Sequence, residues 1–405
     1  MARTGILAPI APRGRAPAVH EKNSSHAAGN RVDGARGRPL TSVRLAIPSI
    51  QPLIAAFAGP RLAKEAGNGD NMLRSLVNAG SRSPQGKRRA ILAAAALACL
   101  AAPALGQAQQ VTLRAVSSFD EKTFFSRHFE RFVEKVNREG KGLVQINYIG
   151  GPKAIPPFEV GNAVRNKVVD LANVTGVFYT NIVPEAIAMS YTDLTTRQLR
   201  ENGAIDYMNT LLAPKGLTYL ARLSEGVPYH IYTNKGFTGD LKGQKMRITP
   251  VYRDLFLGLG STVVQTAPGE LYTALERGVV DGYGWPIAGI FDLGWQEKTK
   301  YRVDPGFYGS ENGILMNLSS WKNLTQAQRE FLQKQFAWAE EQNATYKDEV
   351  AAETKRQAEA GVKTIALSPQ DSRKLLDAAH DAAWKRMAEV SPAHAAKLKS
   401  LFSRP

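Results

Sequence analysis

VTLRAVSSFDEKTFFSRHFERFVEKVNREGKGLVQINYI, residues 111–149, sets the fold class, because it places a strand, a helix and a second strand in succession. VTLRAVS (111–117) and LVQINYI (143–149) are short apolar runs typical of buried strands. Between them, apolar side chains recur at helical spacing and form one face. That face consists of Phe125, Phe129, Phe132, Val133 and Val136. This order of elements predicts layered α/β structure.

The same alternation continues toward the C-terminus. VVDLANV (168–174) predicts a third strand, and a long helix is expected from about Thr325 to Ala360, before two amphipathic helices that close the chain. Further strands are predicted at 217–223, 229–233, 245–249, 262–265 and 313–318. With 405 residues, the chain is long enough for two domains, each with its own core.

QGKRRAILAAAALACLAAPALGQAQQ (85–110) has the order of parts found in a secretory signal peptide. Three basic residues precede an apolar run of 12 residues, which is too short to span a bilayer, and Ala104-Leu105-Gly106 offers small residues for cleavage. We therefore predict a signal peptide over 72–106 that begins at Met72, a periplasmic mature protein, and a disordered or wrongly assigned leader over 1–71. The RRAIL run loosely resembles a twin-arginine signal without its usual Phe, so the export route stays open.

The net charge of +16 suggests a nucleic-acid partner only until its distribution is considered. Of the 52 basic and 36 acidic residues, 15 and 4 lie within 1–106, which leaves 37 and 32 for the remainder, a net charge of +5. That balance describes an ordinary surface and predicts no nucleic-acid partner. Cys99 is the single cysteine of the sequence, which excludes an intramolecular disulfide and a cysteine-based metal site.

From residue 107 onward, no catalytic or metal-binding motif stands out. GxSxG, P-loop, GxGxxG and HExxH patterns do not occur, and the histidines have no metal-ligand spacing. Those histidines are His128, His230, His380 and His394. We predict a protein that is not an enzyme and that uses no metal and no cofactor. Carboxylate pairs distant in sequence escape such a search, so an exported enzyme acting on a small organic acid stays an alternative.

GDLKGQKMRITP (239–250) and APGELYTALERGVVDGYGWP (267–286) are the most specific part of the sequence. They resemble the TRAP-transporter solute-binding family (DctP type), in which an Arg ends a strand after an L-K-G-x-K run, and a P-x-E-x-Y-x-A-L-like helix and a V-D-G strand follow. The matching residues are Leu241, Lys242, Gly243, Lys245, Arg247, Glu270, Tyr272, Ala274, Leu275, Gly278, Val280, Asp281, Gly282 and Pro286. The resemblance covers essentially all of 111–405.

The resemblance implies a two-domain, periplasmic-binding-protein-like α/β fold with a long helix spanning both domains. Domain I is expected to comprise 111–225 plus 311–350, and domain II 226–310 plus 351–405. The implied function is a periplasmic receptor that closes on a small organic carboxylate and delivers it to the small and large membrane subunits of an ion-gradient-driven transporter. A monomer is favoured. A sensory protein that presents its ligand to a membrane receptor fits the same sequence and stays an alternative.

The resemblance also assigns a ligand site. Arg247 matches the Arg that forms a bidentate salt bridge with the ligand carboxylate, a task for which the planar guanidinium fork is suited. Trp285 stands where many members have an Asn and where members that bind 2-oxo acids can have Trp. The remaining expected ligand contacts follow the first and third strands, and they are Ser118, Phe119, Thr175, Phe178 and Tyr179.

Three departures from the family pattern bear on the ligand. Members that bridge 2-oxo or hydroxy acids through a metal tend to have a Glu before the Trp and a second acidic residue after a P-G-aromatic turn, where this chain has Gly284 and Gly309. A second Arg is common just after a Gly, but here Gly226 is followed by Val227. We therefore expect a monocarboxylate with an apolar or aromatic body, bound without a metal.

The export prediction is tested on protein isolated from the periplasm. Cleavage near Gly106 predicts a mature N-terminus between about Gln107 and Gln110, because a signal peptidase cuts after small residues that follow the apolar run. Intact-mass spectrometry measures that terminus directly. A mature protein that still carries residues 1–71 contradicts the prediction.

Overall fold

The computed structural model describes residues 109–404, so the predicted leader and signal peptide lie outside the described residues. The described part contains eleven strands: β1 (Val111–Ser117), β2 (Val144–Tyr148), β3 (Leu171–Val174), β4 (Leu217–Arg222), β5 (Tyr229–Thr233), β6 (Lys245–Ile248), β7 (Thr262–Gln265), β8 (Gly282–Pro286), β9 (Tyr301–Asp304), β10 (Gly313–Asn317) and β11 (Lys363–Ala366).

The same residues form eleven α-helices. They are α1 (Phe124–Glu139), α2 (Val160–Arg165), α3 (Thr196–Glu201), α4 (Ala204–Leu212), α5 (Arg253–Gly258), α6 (Leu271–Glu276), α7 (Leu318–Asn323), α8 (Gln326–Glu341), α9 (Tyr346–Glu359), α10 (Pro369–Val390) and α11 (Pro392–Phe402). Within residues 109–404, no helix is both long and apolar enough to cross a membrane.

The strands form two mixed sheets, and each sheet with its packed helices is called a lobe. The first lobe has the strand order β2-β1-β3-β10-β4, and the second has β11-β9-β5-β8-β6-β7. β1 runs parallel to β2 and β3, and β6 runs parallel to β7 and β8. In contrast, β10 and β5, which each follow a crossing between the lobes, are antiparallel to their neighbours. The predicted α/β class is confirmed.

Two extended segments that cross between the lobes, residues 223–228 and 305–312, pair with each other and are called the hinge ribbon. Ser310 N donates to the Val227 carbonyl at 2.8 Å, and Leu223 N donates to the Asn312 carbonyl at 2.6 Å. Pro228 and Gly309 form an antiparallel bridge between them. The two crossings therefore behave as one hydrogen-bonded unit.

Helices make the remaining connections between the lobes. α8 packs on α1 and β4 of the first lobe, whereas α9 contacts β11 of the second lobe. The single long helix predicted from about Thr325 to Ala360 is thus two helices, separated by the 3₁₀ turn Gln342–Thr345. α11 packs against α4 of the first lobe, although its residues were assigned to domain II, and the predicted domain boundaries stay a prediction.

Helix α1 depends on both lobes. All residues of its predicted apolar face except Phe125 are buried against the first sheet, and burying each such side chain contributes roughly 1.5–3 kcal/mol. The side chain of its N-cap residue Thr123 accepts no hydrogen bond from the first turn, and its hydroxyl donates to the Asp120 carbonyl. The carboxylate of Asp292, from the second lobe, accepts the Phe124 N–H at 2.7 Å instead. A negative group at a helix N-terminus stabilises the helix. Because Asp292 belongs to the second lobe and α1 to the first, this hydrogen bond also joins the two lobes.

Asp292→Ala should release the first amide of α1. Loss of a capping side chain costs about 0.5–2 kcal/mol, so the Phe124 amide should exchange with solvent about 2- to 30-fold faster. Hydrogen-exchange mass spectrometry on the first turn of α1 measures this. Asp281→Ala is the matched control, because Asp281 accepts the Lys245 N–H within the second lobe alone. Unchanged exchange at Phe124 in Asp292→Ala contradicts the assignment.

Candidate functional site

A small cavity of about 20 Å³ lies between the two lobes beside the hinge ribbon. Loops that follow β1, β3, β6 and β8 surround it, in agreement with the tendency of α/β sheets to bind ligands at the carboxyl ends of their strands. The residues that line it are Phe119, Phe125, Thr175, Val177 and Phe178 of the first lobe, Ser310 and Asn312 of the hinge ribbon, and Tyr229, Thr249, Trp285 and Pro286 of the second lobe. Aromatic rings and aliphatic groups therefore form most of the wall.

Four of the seven residues predicted to contact a ligand line this cavity: Phe119, Thr175, Phe178 and Trp285. The rings of Phe119 and Phe178 lie 5.7 Å apart within the first lobe. Trp285 meets Phe125 edge to face at 5.9 Å, which brings aromatic rings of the two lobes into contact. The cavity is thus closed on one side by a contact between the lobes.

Ser118, Tyr179 and Arg247 do not line the cavity. Ser118 lies directly before Phe119, and its buried hydroxyl has no hydrogen-bond partner among the described residues. Tyr179 belongs to the apolar core of the first lobe, where its side chain lies beside Gly161 and Ile182. Their roles as ligand contacts stay a prediction.

Arg247 lies at the end of β6 and is fully buried (0% exposed). Its Nε and Nη2 donate to the Thr266 carbonyl at 3.1 and 2.7 Å, and its Nη1 donates to the Tyr252 hydroxyl at 3.2 Å. A guanidinium has five N–H groups, so one on Nη1 and one on Nη2 have no partner among the described residues. The indole of Trp285, which lines the cavity, lies 5.7 Å from the guanidinium carbon.

The charge of Arg247 is not neutralised within residues 109–404, where no carboxylate lies within 4.0 Å of it. Arg302, a second buried Arg of the same lobe, differs because its Nε bonds to the Asp304 carboxylate at 2.9 Å. A buried charge is costly unless it is paired. Arg247 therefore carries a buried positive charge that no described carboxylate pairs, beside the cavity-lining Trp285.

Tyr229 is a cavity residue that the sequence analysis missed. Its ring lies 5.5 Å from that of Tyr252, and burial raises its pKa well above the ordinary value, so the hydroxyl stays protonated. No partner for that hydroxyl occurs among the described residues, which leaves it able to bond a ligand. One signal was available, since Tyr229 lies two residues after Val227, which stands where family members often have a second Arg.

Glu311, in the hinge ribbon, was also missed. It is fully buried and accepts hydrogen bonds from the Gly176 amide at 2.8 Å, the Tyr219 hydroxyl at 2.8 Å and the Thr175 hydroxyl at 3.3 Å. Burial raises the pKa of its carboxyl, although these bonds and the charge of Arg222 act against the increase. Because the Thr175 proton is directed at Glu311, Thr175 presents only an acceptor to the cavity.

The lining is suited to binding rather than to proton transfer. Among the described residues that line the cavity there is no Asp, Glu, His, Lys or Cys, so the groups that most often act as general acids or bases are missing from the wall. Residues 109–404 also contain no group of three His, Cys, Asp or Glu residues arranged to hold a metal ion.

The family described as bacterial extracellular solute-binding protein, family 7 (DctP), matches residues 117–390. The chain is 26% identical over 214 residues to a monocarboxylate 2-oxoacid-binding periplasmic protein of Nostoc sp., and the match covers 50% of this chain and 58% of that protein. It is 24% identical over 321 residues to a solute-binding protein of Roseobacter denitrificans, covering 76% of this chain and 97% of that protein. The chain thus spans a little over half of the first relative and nearly all of the second.

Solved structures share the fold. DctP7 of Bordetella pertussis, an extracytoplasmic solute receptor binding pyroglutamic acid, has a TM-score of 0.65 at 19% identity, covering 72% of this chain and 99% of that chain. A TRAP periplasmic solute-binding protein from Desulfovibrio salexigens with bound orotic acid has a TM-score of 0.65 at 19% identity, with coverages of 72% and 97%. These similarities confirm the predicted two-domain fold.

The raised pKa of Glu311 predicts a pH dependence of stability. A carboxyl whose pKa is higher in the folded state contributes stability that is present below its unfolded pKa and is lost as the pH rises through its folded pKa. The free energy of unfolding of the wild type, relative to Glu311→Gln, should therefore fall by up to about 1.4 kcal/mol per pH unit in that window. Urea unfolding of both proteins from pH 4 to pH 8 measures the difference. A difference that is constant with pH contradicts the prediction.

Proposed function

The chain belongs to family 7 of the bacterial extracellular solute-binding proteins, the receptors of TRAP transport, and we propose that it captures a small organic carboxylate in the periplasm. The family and its structural neighbours are transport receptors, so the alternative of an exported enzyme is wrong. The proposed partners are the small and large membrane subunits of the transporter, which receive the ligand from a monomeric receptor. The sensory alternative stays a prediction.

The observation that carries the ligand class is the buried, unpaired guanidinium of Arg247. Two of its N–H groups have no partner among the described residues, and a carboxylate accepts two parallel N–H bonds from such a fork. Within a closed cleft, a charge-assisted hydrogen bond contributes roughly 1.5–3 kcal/mol. We therefore assign the carboxylate end of the ligand to Arg247, with Trp285 stacked beside it.

The remaining wall supports a ligand with one carboxylate and an apolar or aromatic body. The residues that line the cavity carry no cation, so a second carboxylate would be unpaired there. Phe119, Phe125 and Phe178 surround the space for the ligand body, and Tyr229 offers it a hydroxyl. The relatives support the class, since their names record a monocarboxylate 2-oxoacid, pyroglutamic acid and orotic acid.

Closure of the cleft follows from the placement of these contacts. Arg247 and Trp285 belong to the second lobe, whereas Phe119, Thr175 and Phe178 belong to the first. A ligand that contacts both sets binds the closed arrangement more tightly than an open one and shifts the population toward it. Transporter subunits that bind the closed form then distinguish loaded from empty receptor.

Arg247→Ala should weaken binding without unfolding the protein. Truncating one partner of a buried charge pair costs roughly 2–5 kcal/mol, which is a loss of about 30-fold to several thousand-fold. Arg247→Lys should recover only part of the affinity, because a point charge does not reproduce the planar fork. Calorimetry with pyroglutamate, orotate, pyruvate and phenylacetate, in the presence of a chelator, measures these affinities.

Arg253→Ala is the matched control, because Arg253 is a half-exposed residue of the same lobe that pairs with Asp254. Its affinity for the same acids should equal that of the wild type. If Arg247→Ala also binds as tightly as the wild type, the carboxylate anchor lies elsewhere. If the wild type binds only when the chelator is replaced by calcium or sodium, the metal-free site is wrong.

A further inference from the structure

The orientation of Arg247 depends on the place where strands β6 and β8 separate. These parallel strands are paired only through Met246 with Gly282 and through Arg247 with Tyr283. Beyond that point the Gly284 carbonyl has no partner in β6, and the Tyr252 hydroxyl donates to it at 2.5 Å. The same hydroxyl accepts the Nη1–H of Arg247 at 3.2 Å. Tyr252 thus fills the gap between the strands and connects both of them.

Gly284 provides the space for this arrangement. A Cβ atom at this position would lie 2.5 Å from one ring carbon of Tyr252 and 2.7 Å from another, which no unstrained side chain permits. The ring also packs against Tyr229 and Phe256, with centroids 5.5 and 5.0 Å away. An acidic side chain before Trp285 is therefore incompatible with the position of the Tyr252 ring.

Both hydrogen-bond partners of the Arg247 guanidinium are uncharged. The Thr266 carbonyl accepts from Nε and Nη2, and the Tyr252 hydroxyl accepts from Nη1. Together they fix the plane of the guanidinium but leave its positive charge uncompensated. We call the Thr266 carbonyl and the Tyr252 hydroxyl the neutral clamp.

We propose that Tyr252 is a positioning residue for ligand binding, which, with the Thr266 carbonyl, holds the Nη1–Nη2 edge of Arg247 toward the cavity without neutralising it. This inference rests on the proposed function and deepens it. The ligand group that fits is a planar carboxylate bound end-on by Nη1 and Nη2, with no metal ion between them. An acidic residue in place of the tyrosine would hold the same guanidinium but would compete with the ligand for its charge.

Tyr252→Phe removes the hydroxyl and keeps the ring. Nη1 and the Gly284 carbonyl then lose their common partner, and the guanidinium is free to turn toward that carbonyl and away from the cavity. Hydrogen bonds to charged groups are strong, so the affinity for the tightest-binding acid of the four named above should fall about 10-fold. Tyr283→Phe is the matched control, because it removes a buried hydroxyl that bonds to Thr299 and not to Arg247. The affinity of the Tyr283→Phe variant for the same acid should differ from that of the wild type by less than about twofold.

A double-mutant cycle separates positioning from a general structural effect. In an Arg247→Lys background, Tyr252→Phe should change the affinity by less than about twofold, because there is no fork left to orient. If Tyr252→Phe lowers the affinity about 10-fold in both backgrounds, the proposed positioning role of Tyr252 is wrong. The assignment of the ligand carboxylate to Arg247 is not affected by that result. If Arg247→Ala binds like the wild type, the proposed function fails instead, so the two failures are distinguishable.

A measurement on the unmodified protein does not depend on how any variant folds. The neutral clamp should prevent rotation about the Nε–Cζ bond of Arg247 before any acid is added. ¹⁵N nuclear magnetic resonance of the wild type should therefore show separate Nη1 and Nη2 signals for Arg247, at a temperature where those of the exposed Arg197 are averaged. A single averaged signal for Arg247 overturns the proposal.

Discussion

The structure depends most on one buried positive charge. Arg247 is fully enclosed, yet its partners within residues 109–404 are a carbonyl and a hydroxyl rather than a carboxylate. A folded protein normally pairs such a charge, as this chain does for Arg302 with Asp304. In the function proposed here, an anionic ligand supplies the missing counter-charge and recovers the electrostatic energy that an unpaired buried charge lacks. The neutral clamp holds that charge buried beside Trp285, a residue of the cavity wall.

Around this charge, the two lobes are held so that they meet in one arrangement. The hinge ribbon carries hydrogen bonds along both crossing segments, and the helix pair α8 and α9 connects the lobes on another side. Across the cleft, Phe125 contacts Trp285, and the Asp292 carboxylate caps α1. One apolar cluster also includes residues of both lobes, such as Met189 and Tyr252, so burial of apolar surface adds to these contacts.

The wall of the cavity explains how receptors of one fold can differ in their ligands. The relatives are named for a 2-oxoacid, pyroglutamic acid and orotic acid, and they share the fold at low sequence identity. In this chain the position before Trp285 is Gly284, and the ring of Tyr252 takes up the space beside it. The packing around this strand end therefore leaves no room for a larger side chain directly before Trp285.

Local patterns in the sequence determined the class of the protein. The apolar face of α1 and the boundaries of β1 and β5 follow from periodicity, because each depends on side chains a few residues apart. The run that ends in Arg247 predicted the family in the same way. Three strands escaped periodicity, namely the glycine-rich β8, β9 and β11. Only the tertiary structure revealed that Glu311 reaches Thr175, that Tyr252 holds Arg247 against Gly284, and that Asp292 caps a helix of the other lobe. Most of these contacts join residues that are far apart in sequence, and pairings of that kind are set by how the two sheets pack rather than by any local pattern.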